Sequence, residues 1–146
     1  VASSDIPAAF DETRHRYVLE SLLEAGVPHA VCAWILRELR AAVLYVGYAT
    51  RYTGSLPSTK GLPQGLNIGP KLFVRTLHHF LQPAWQDCLR KKLGIQLGCR
   101  RLPYLLFSDN VYAFDSSPIR CAKILAIVRE HLVRGGWQLP LGRAEH

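Results

Sequence analysis

Asp5 and Asp109 are the residues whose placement suggests chemistry. Each sits where a short hydrophobic strand gives out, the first in Ser4-Asp5-Ile6-Pro7-Ala8-Ala9-Phe10-Asp11 and the second in Leu105-Leu106-Phe107-Ser108-Asp109-Asn110-Val111-Tyr112. Between them stands Gly61-Leu62-Pro63-Gln64-Gly65, a tight polar-glycine turn just before an amphipathic stretch. Two carboxylates at adjacent strand ends can share a pair of divalent ions, which stabilises both oxygens of an in-line phosphoryl displacement. The glycines of the turn allow positive φ and close backbone approach, and the helix start that follows attracts negative charge.

The elements that must position these groups alternate along the chain. Residues 1–5 fit the end of a strand, and Asp11 or Thr13 is suited to cap a helix running to about Ala25, with Val18, Leu19, Leu22 and Leu23 on one face. Gly26 stops it, and Pro28 opens a second helix through Arg40, with Val31, Ile35 and Leu39 at helical spacing and Trp34 and Leu36 widening the stripe. Ala42 to Thr50 reads as a strand, and Arg51 to Lys60, with Thr53-Gly54-Ser55, as a hairpin turn. A long helix is expected from Gly69 or Pro70 to Lys92, kinked or divided by Pro83. Leu102 to Phe107 and Val111 to Phe114 make two strands around Ser108-Asp109-Asn110. Ser117 caps a last helix, with Pro118 at its first position, and Gly135-Gly136 ends it after Arg134. Gly136 to Pro140 reads as the start of a further strand. The expectation is an α+β fold, a mainly antiparallel sheet packed against helices, in a single domain over 1–146.

Composition narrows the classes. A chain of 146 residues that is 49% hydrophobic can bury one real core, and 20% charged residues without low-complexity runs argue against disorder. A net charge of +7 favours a polyanionic partner. Arg90, Lys91, Lys92, Arg100 and Arg101 crowd together as a candidate nucleic-acid patch, set against the alternative of a solvated helix end. Cys32, Cys88, Cys99 and Cys121 lack metal-ligand spacing and read as reduced, structural residues. No apolar run is long enough to span a bilayer. The expected location is intracellular, nuclear or cytoplasmic, neither secreted nor membrane-bound.

Taken together, the three acidic and glycine-rich segments resemble motifs A, B and C of the reverse transcriptase palm, in that order, over nearly the whole chain. The likeness is nearest to non-LTR retrotransposon and group II intron enzymes. It implies an RNA-directed DNA polymerase, a nucleotidyltransferase in which Asp5 and Asp109 are catalytic and hold Mg²⁺ or Mn²⁺ together with Asn110. The primer 3′-hydroxyl would attack the α-phosphate in line and release pyrophosphate. Ile6, Phe10, Gln64 and Gly65 would line the nucleotide site. By the resemblance, Phe10 lies beneath the incoming sugar, where a ring collides with a 2′-hydroxyl and selects deoxynucleotides. Gln64 touches the nucleotide, and the glycine-rich backbone packs against the template base. The implied partners are an RNA template, a DNA primer and deoxynucleoside triphosphates. Asp11 and His15 are read as structural, a helix cap and a packed or hydrogen-bonded ring.

The chain departs from the family at two points. Gly69 stands where Ser commonly precedes the proline of motif B. Asn110 replaces the second aspartate of motif C, which supplies a neutral carbonyl oxygen and lowers the site's charge by one. The alternative reading is therefore a catalytically silent, nucleic-acid-binding or scaffold palm; RNA-directed RNA synthesis is weaker, since Phe10 speaks against it. Val1 begins four residues before Asp5, so a fragment of a longer reading frame is expected, with fingers upstream and thumb downstream of 1–146.

Overall fold

Short strands, two of which alternate buried and open positions, build the sheet carrying both acidic residues. The computed structural model describes residues 1–41, 44–48, 51–56, 58–63, 65 and 67–140, with backbone alone described in 44–48 and 51–56. The backbone clusters into two units, Val1–Ala9 with Leu77–His146, and Phe10–Thr76.

In the first unit, strands β1 (Ala2–Asp5), β6 (Tyr104–Phe107) and β7 (Asn110–Ala113) form an antiparallel sheet of order β1-β7-β6. Ser4 pairs with Val111 and Ala2 with Ala113, and all four are buried. Helix α4 (Pro118–Arg134) packs on β7 and β1, with Ile124, Leu125, Val128 and Leu132 among its buried residues. Trp137 completes this core. Its indole N–H donates to the Ala9 carbonyl at 2.9 Å, and its ring meets Phe80 edge-on at 5.6 Å. A Cβ on Gly135 would come within 2.5 Å of that indole ring, so glycine is required for space. The Ser4 hydroxyl donates to the Pro140 carbonyl, and residues 137–140 run as irregular chain, not as the further strand expected there. A side-chain anchor and an indole hydrogen bond hold this segment instead of ladder bonds.

A second hairpin, β4 (Ile95–Leu97) and β5 (Arg100–Leu102), was hidden in the sequence. The expected strand from Leu102 to Phe107 is split at Pro103, which has no N–H to give to a ladder. Gly94 opens the hairpin at φ +107, with the Leu102 carbonyl 2.6 Å from where a Cβ would stand.

The Phe10–Thr76 unit holds α1 (His15–Glu24), α2 (His29–Ala41), the hairpin β2 (Leu44–Tyr48) and β3 (Arg51–Leu56), and the first turns of α3 (Gly69–Arg90). Arg51–Leu56 is a paired strand, from Leu44↔Leu56 to Tyr48↔Arg51 with a register shift between Tyr45 and Gly47, and not the turn that Thr53-Gly54-Ser55 suggests. Residues 49–50 lie outside the described residues, as do the side chains of Tyr45, Tyr48 and Tyr52. In α2 the buried positions are Cys32, Ile35 and Leu39, whereas Val31 and Trp34 are exposed. The helix is thus rotated from the stripe expected. Helix α1 starts at His15 with Arg14 as N-cap and no side-chain cap bond, so neither Asp11 nor Thr13 caps it. The reason is local: Arg14 is held extended in an antiparallel bridge to Lys60, so the helix cannot begin sooner. Ser117 likewise occupies the N-cap of α4 without a side-chain bond.

Helix α3 runs unbroken through Pro83. Helices α1, α3 and α4 close alike. Val27, Leu93 and Trp137 donate to the carbonyls of Leu22, Cys88 and Leu132 at 2.9–3.1 Å, and the residues before them, Gly26, Lys92 and Gly136, have positive φ. Among the described residues no helix is long and apolar enough to cross a membrane.

Candidate active site

Strand register places the acidic groups. Asp5 is the last residue of β1 and pairs directly with Asn110, the first of β7, which in turn pairs with Phe107 of β6. Directly opposed residues of an antiparallel pair point to the same side. One row on the open face therefore carries Asp5, Asn110 and Phe107, opposite the face on which Ser4 and Val111 are buried. Phe107 is 76% exposed. Asp109 lies in the two-residue turn between β6 and β7. Ser108 takes the first turn position at φ +56, in keeping with a II′ turn. The Ile6 N–H donates to the Asp109 carbonyl at 2.9 Å and ties the turn to the end of β1. Asp5 and Asp109 thus stand at adjacent strand ends, as their sequence context suggests.

Ile6, expected to line the nucleotide site, has a fully buried side chain, and its N–H donates to the Asp109 carbonyl, so it clasps the turn.

Asp5 is exposed, and Asp109 and Asn110 are half-buried. Among the described residues no group of three or more His, Cys, Asp or Glu side chains is placed to hold a metal. Two reachable carboxylates and an amide carbonyl are a donor set of hard oxygens, and Mg²⁺ is commonly held by one or two carboxylates with water and substrate phosphates making up the rest. Asp5, Asp109 and Asn110 supply donors of the chemical kind such an ion takes.

In the Phe10–Thr76 unit, the segment after Phe10 is stitched to the glycine-rich turn. The Phe10 carbonyl accepts from Leu62 N–H at 3.1 Å, and the Thr13 carbonyl accepts from Gly61 N–H at 2.8 Å. His15 donates from Nε2 to the Gly61 carbonyl at 2.8 Å, the hydrogen-bonded role expected of it. Phe10 is half-buried and stacks on Phe73 with centroids 4.4 Å apart. Gly65 is exposed at φ +92, and Gln64 lies outside the described residues.

The basic run clusters where α3 ends and β5 begins. Arg90 pairs with Asp87, and Arg101 donates to the carbonyls of Gly94 at 2.8 Å and Lys92 at 3.2 Å. Lys91, Lys92 and Arg100 are exposed. Two supporting groups escaped the sequence reading. His131 Nε2 meets Asp87 Oδ2 at 2.9 Å, and that bond with the one from Arg90 holds the Asp87 carboxyl below its usual range. Asp115 accepts from Gly94 N–H at 2.7 Å and Arg120 Nε at 2.6 Å, which fixes the start of the β4–β5 hairpin. Cys32, Cys88 and Cys121 are buried free thiols, whereas Cys99 is exposed and does not pack as a core residue.

An antiparallel sheet backed by helices, with two acidic strand ends together, is the plan of a polymerase palm. A family model for reverse transcriptase (RNA-dependent DNA polymerase) matches residues 1–142. The chain belongs to the reverse transcriptase family. No curated protein matches it.

Proposed function

We propose that this chain is the palm of an RNA-directed DNA polymerase, of the kind found in non-LTR retrotransposons and group II introns, and that Asp5 and Asp109 carry its chemistry. The observation that supports this most is the pairing of Asp5 with Asn110 and of Ile6 with Asp109, which sets both carboxylates at one end of one sheet. Asp5 and Asp109 would hold Mg²⁺ or Mn²⁺, with the Asn110 carbonyl as a neutral ligand. Bound there, the ions would stabilise the attacking and leaving oxygens of phosphoryl transfer. Phe10 bars a 2′-hydroxyl, and Gln64 and Gly65 meet the nucleotide and template base. Arg90, Lys91, Lys92, Arg100 and Arg101 draw in the RNA template and DNA primer by charge.

A second reading has its own observation. Asn110 leaves the row beside Asp5 with one negative charge fewer than the family pair supplies, which favours a palm that binds nucleic acid without catalysis. Primer extension on an RNA template with deoxynucleotides, by the full natural protein and its Asp5→Ala variant, separates the two. Synthesis that falls by about a thousandfold or more in the variant, as expected for loss of transition-state charge stabilisation, supports the polymerase. Synthesis that is absent from the natural protein, or unchanged in Asp5→Ala, would overturn it.

A further inference from the structure

Arg14, Arg16, Arg40 and Lys60 line a single cleft of about 580 Å³ in the Phe10–Thr76 unit, with Leu19 and Leu36 as its apolar lining. Backbone pairing forces part of this convergence. Arg14 and Lys60 oppose each other in an isolated antiparallel bridge, so both side chains leave on the same side. His15 N–H to the Thr59 carbonyl at 3.1 Å and Gly61 N–H to the Thr13 carbonyl at 2.8 Å clamp that bridge from both ends. Like charges placed directly opposite one another destabilise such a pair.

Local acid offsets only part of the charge. Glu12 takes Lys60 through both carboxylate oxygens, at 2.7 and 2.9 Å. Arg16 donates to the Tyr17 hydroxyl and lies 4.4 Å over its ring, a neutral partner that leaves the guanidinium charge in place, and Glu20 acts on it more weakly through space. Among the described residues neither Arg14 nor Arg40 has an acidic partner. No acid occupies the first turn of α1, whose N-terminal end adds positive potential. His15, 3% exposed, also borders the cleft, and its buried Nδ1 has no hydrogen-bond partner among the described residues. Low-dielectric walls around one sign of charge focus potential into the cleft.

We propose that this cleft binds phosphate groups, and that its ligand is the backbone of an RNA strand. The choice of RNA rests on the polymerase reading above, whereas the choice of phosphate rests on the cleft alone. Guanidinium forks pair phosphate oxygens two at a time, and Lys60 adds a point charge beside them.

The test titrates the full chain with labelled single-stranded RNA by fluorescence anisotropy and with tripolyphosphate by calorimetry, for wild type and for Arg14→Gln with Arg40→Gln. Both arginines are exposed and make no capping bond or acidic ion pair. The double variant should bind both ligands about tenfold more weakly and lose about 1.4 units of salt slope on RNA, at roughly 0.7 per phosphate contact of a single strand. Unchanged affinity for both ligands would overturn the proposal. Loss on tripolyphosphate alone would overturn the strand as ligand and assign the cleft to a free oligophosphate. The wild type offers a check that needs no variant. RNA or tripolyphosphate should slow reductive methylation of Lys60 severalfold, and equal labelling with and without both ligands would count against the site. Asp109→Ala, which tests the polymerase reading through Mn²⁺ binding, should leave tripolyphosphate binding intact, so either idea can fail without the other.

Discussion

Asp5 faces Asn110 across the β1–β7 pair, so the strand ends carry two carboxylates and one amide. Asp109 was legible in the sequence because it follows the apolar run Leu105-Leu106-Phe107, and Asp5 through its place ahead of Ala9-Phe10-Asp11. Their relation was not, since it depends on a ladder joining residues more than a hundred positions apart. The same limit hid Asp115, whose partners Gly94 and Arg120 lie on different elements. Burial acts to raise the Asp115 carboxyl, but bonds from Arg120, Gly94 and Ser116 outweigh it and hold it at about 2. A folded pKa below the unfolded one gives stability that is full above about 4 and lost as pH falls toward 2. Asp115→Asn should therefore cost up to about 2 kcal/mol at neutral pH, with the gap from wild type shrinking at pH 3. Urea unfolding at the two pH values measures this, and a gap that is constant with pH would remove the charge from the account.

Helix α3 carries Pro83 in its interior without a break, although proline there forfeits a backbone bond and crowds the preceding turn. Pro83 is exposed, so alanine would lose little packing. Pro83→Ala should stabilise the protein by about 1–3 kcal/mol, read as a higher denaturation midpoint, and a lower midpoint would mean that the proline fits a bend the helix needs. Two helices were legible from their stops, since Gly26 and Gly136 supply the positive φ that ends α1 and α4. Lys92 does the same for α3 with a side chain, which no composition rule anticipates. Strands were less legible. Arg51–Leu56 has turn-like residues and pairs nonetheless, because its partner Leu44–Tyr48 supplies the ladder. Ile95–Leu97 and Arg100–Leu102 are each three residues long, too short for alternation to register.

Across the whole molecule, a net charge of +7 includes the lining of the Arg14–Lys60 cleft and the basic run at the end of α3. At the end of α3, Arg90 and Arg101 are engaged with Asp87 and backbone carbonyls, which leaves Lys91, Lys92 and Arg100 most open to a duplex. Binding to a primer–template duplex should fall steeply between about 50 and 200 mM salt, and Lys91→Gln with Lys92→Gln should flatten the salt slope by about two units. A slope unchanged by the pair of substitutions would return these charges to a solvated surface. The account's central claim is that the two strand-end carboxylates form one metal-binding unit. Calorimetric titration with Mn²⁺ tests it most directly, on the wild type, Asp5→Ala, Asp109→Ala and Asn110→Asp. The account predicts weak binding in the wild type, its loss in either alanine variant and about tenfold tighter binding in Asn110→Asp, where a carboxylate replaces a neutral carbonyl among ligands of a hard cation. Equal Mn²⁺ binding in wild type, Asp5→Ala and Asp109→Ala would contradict it.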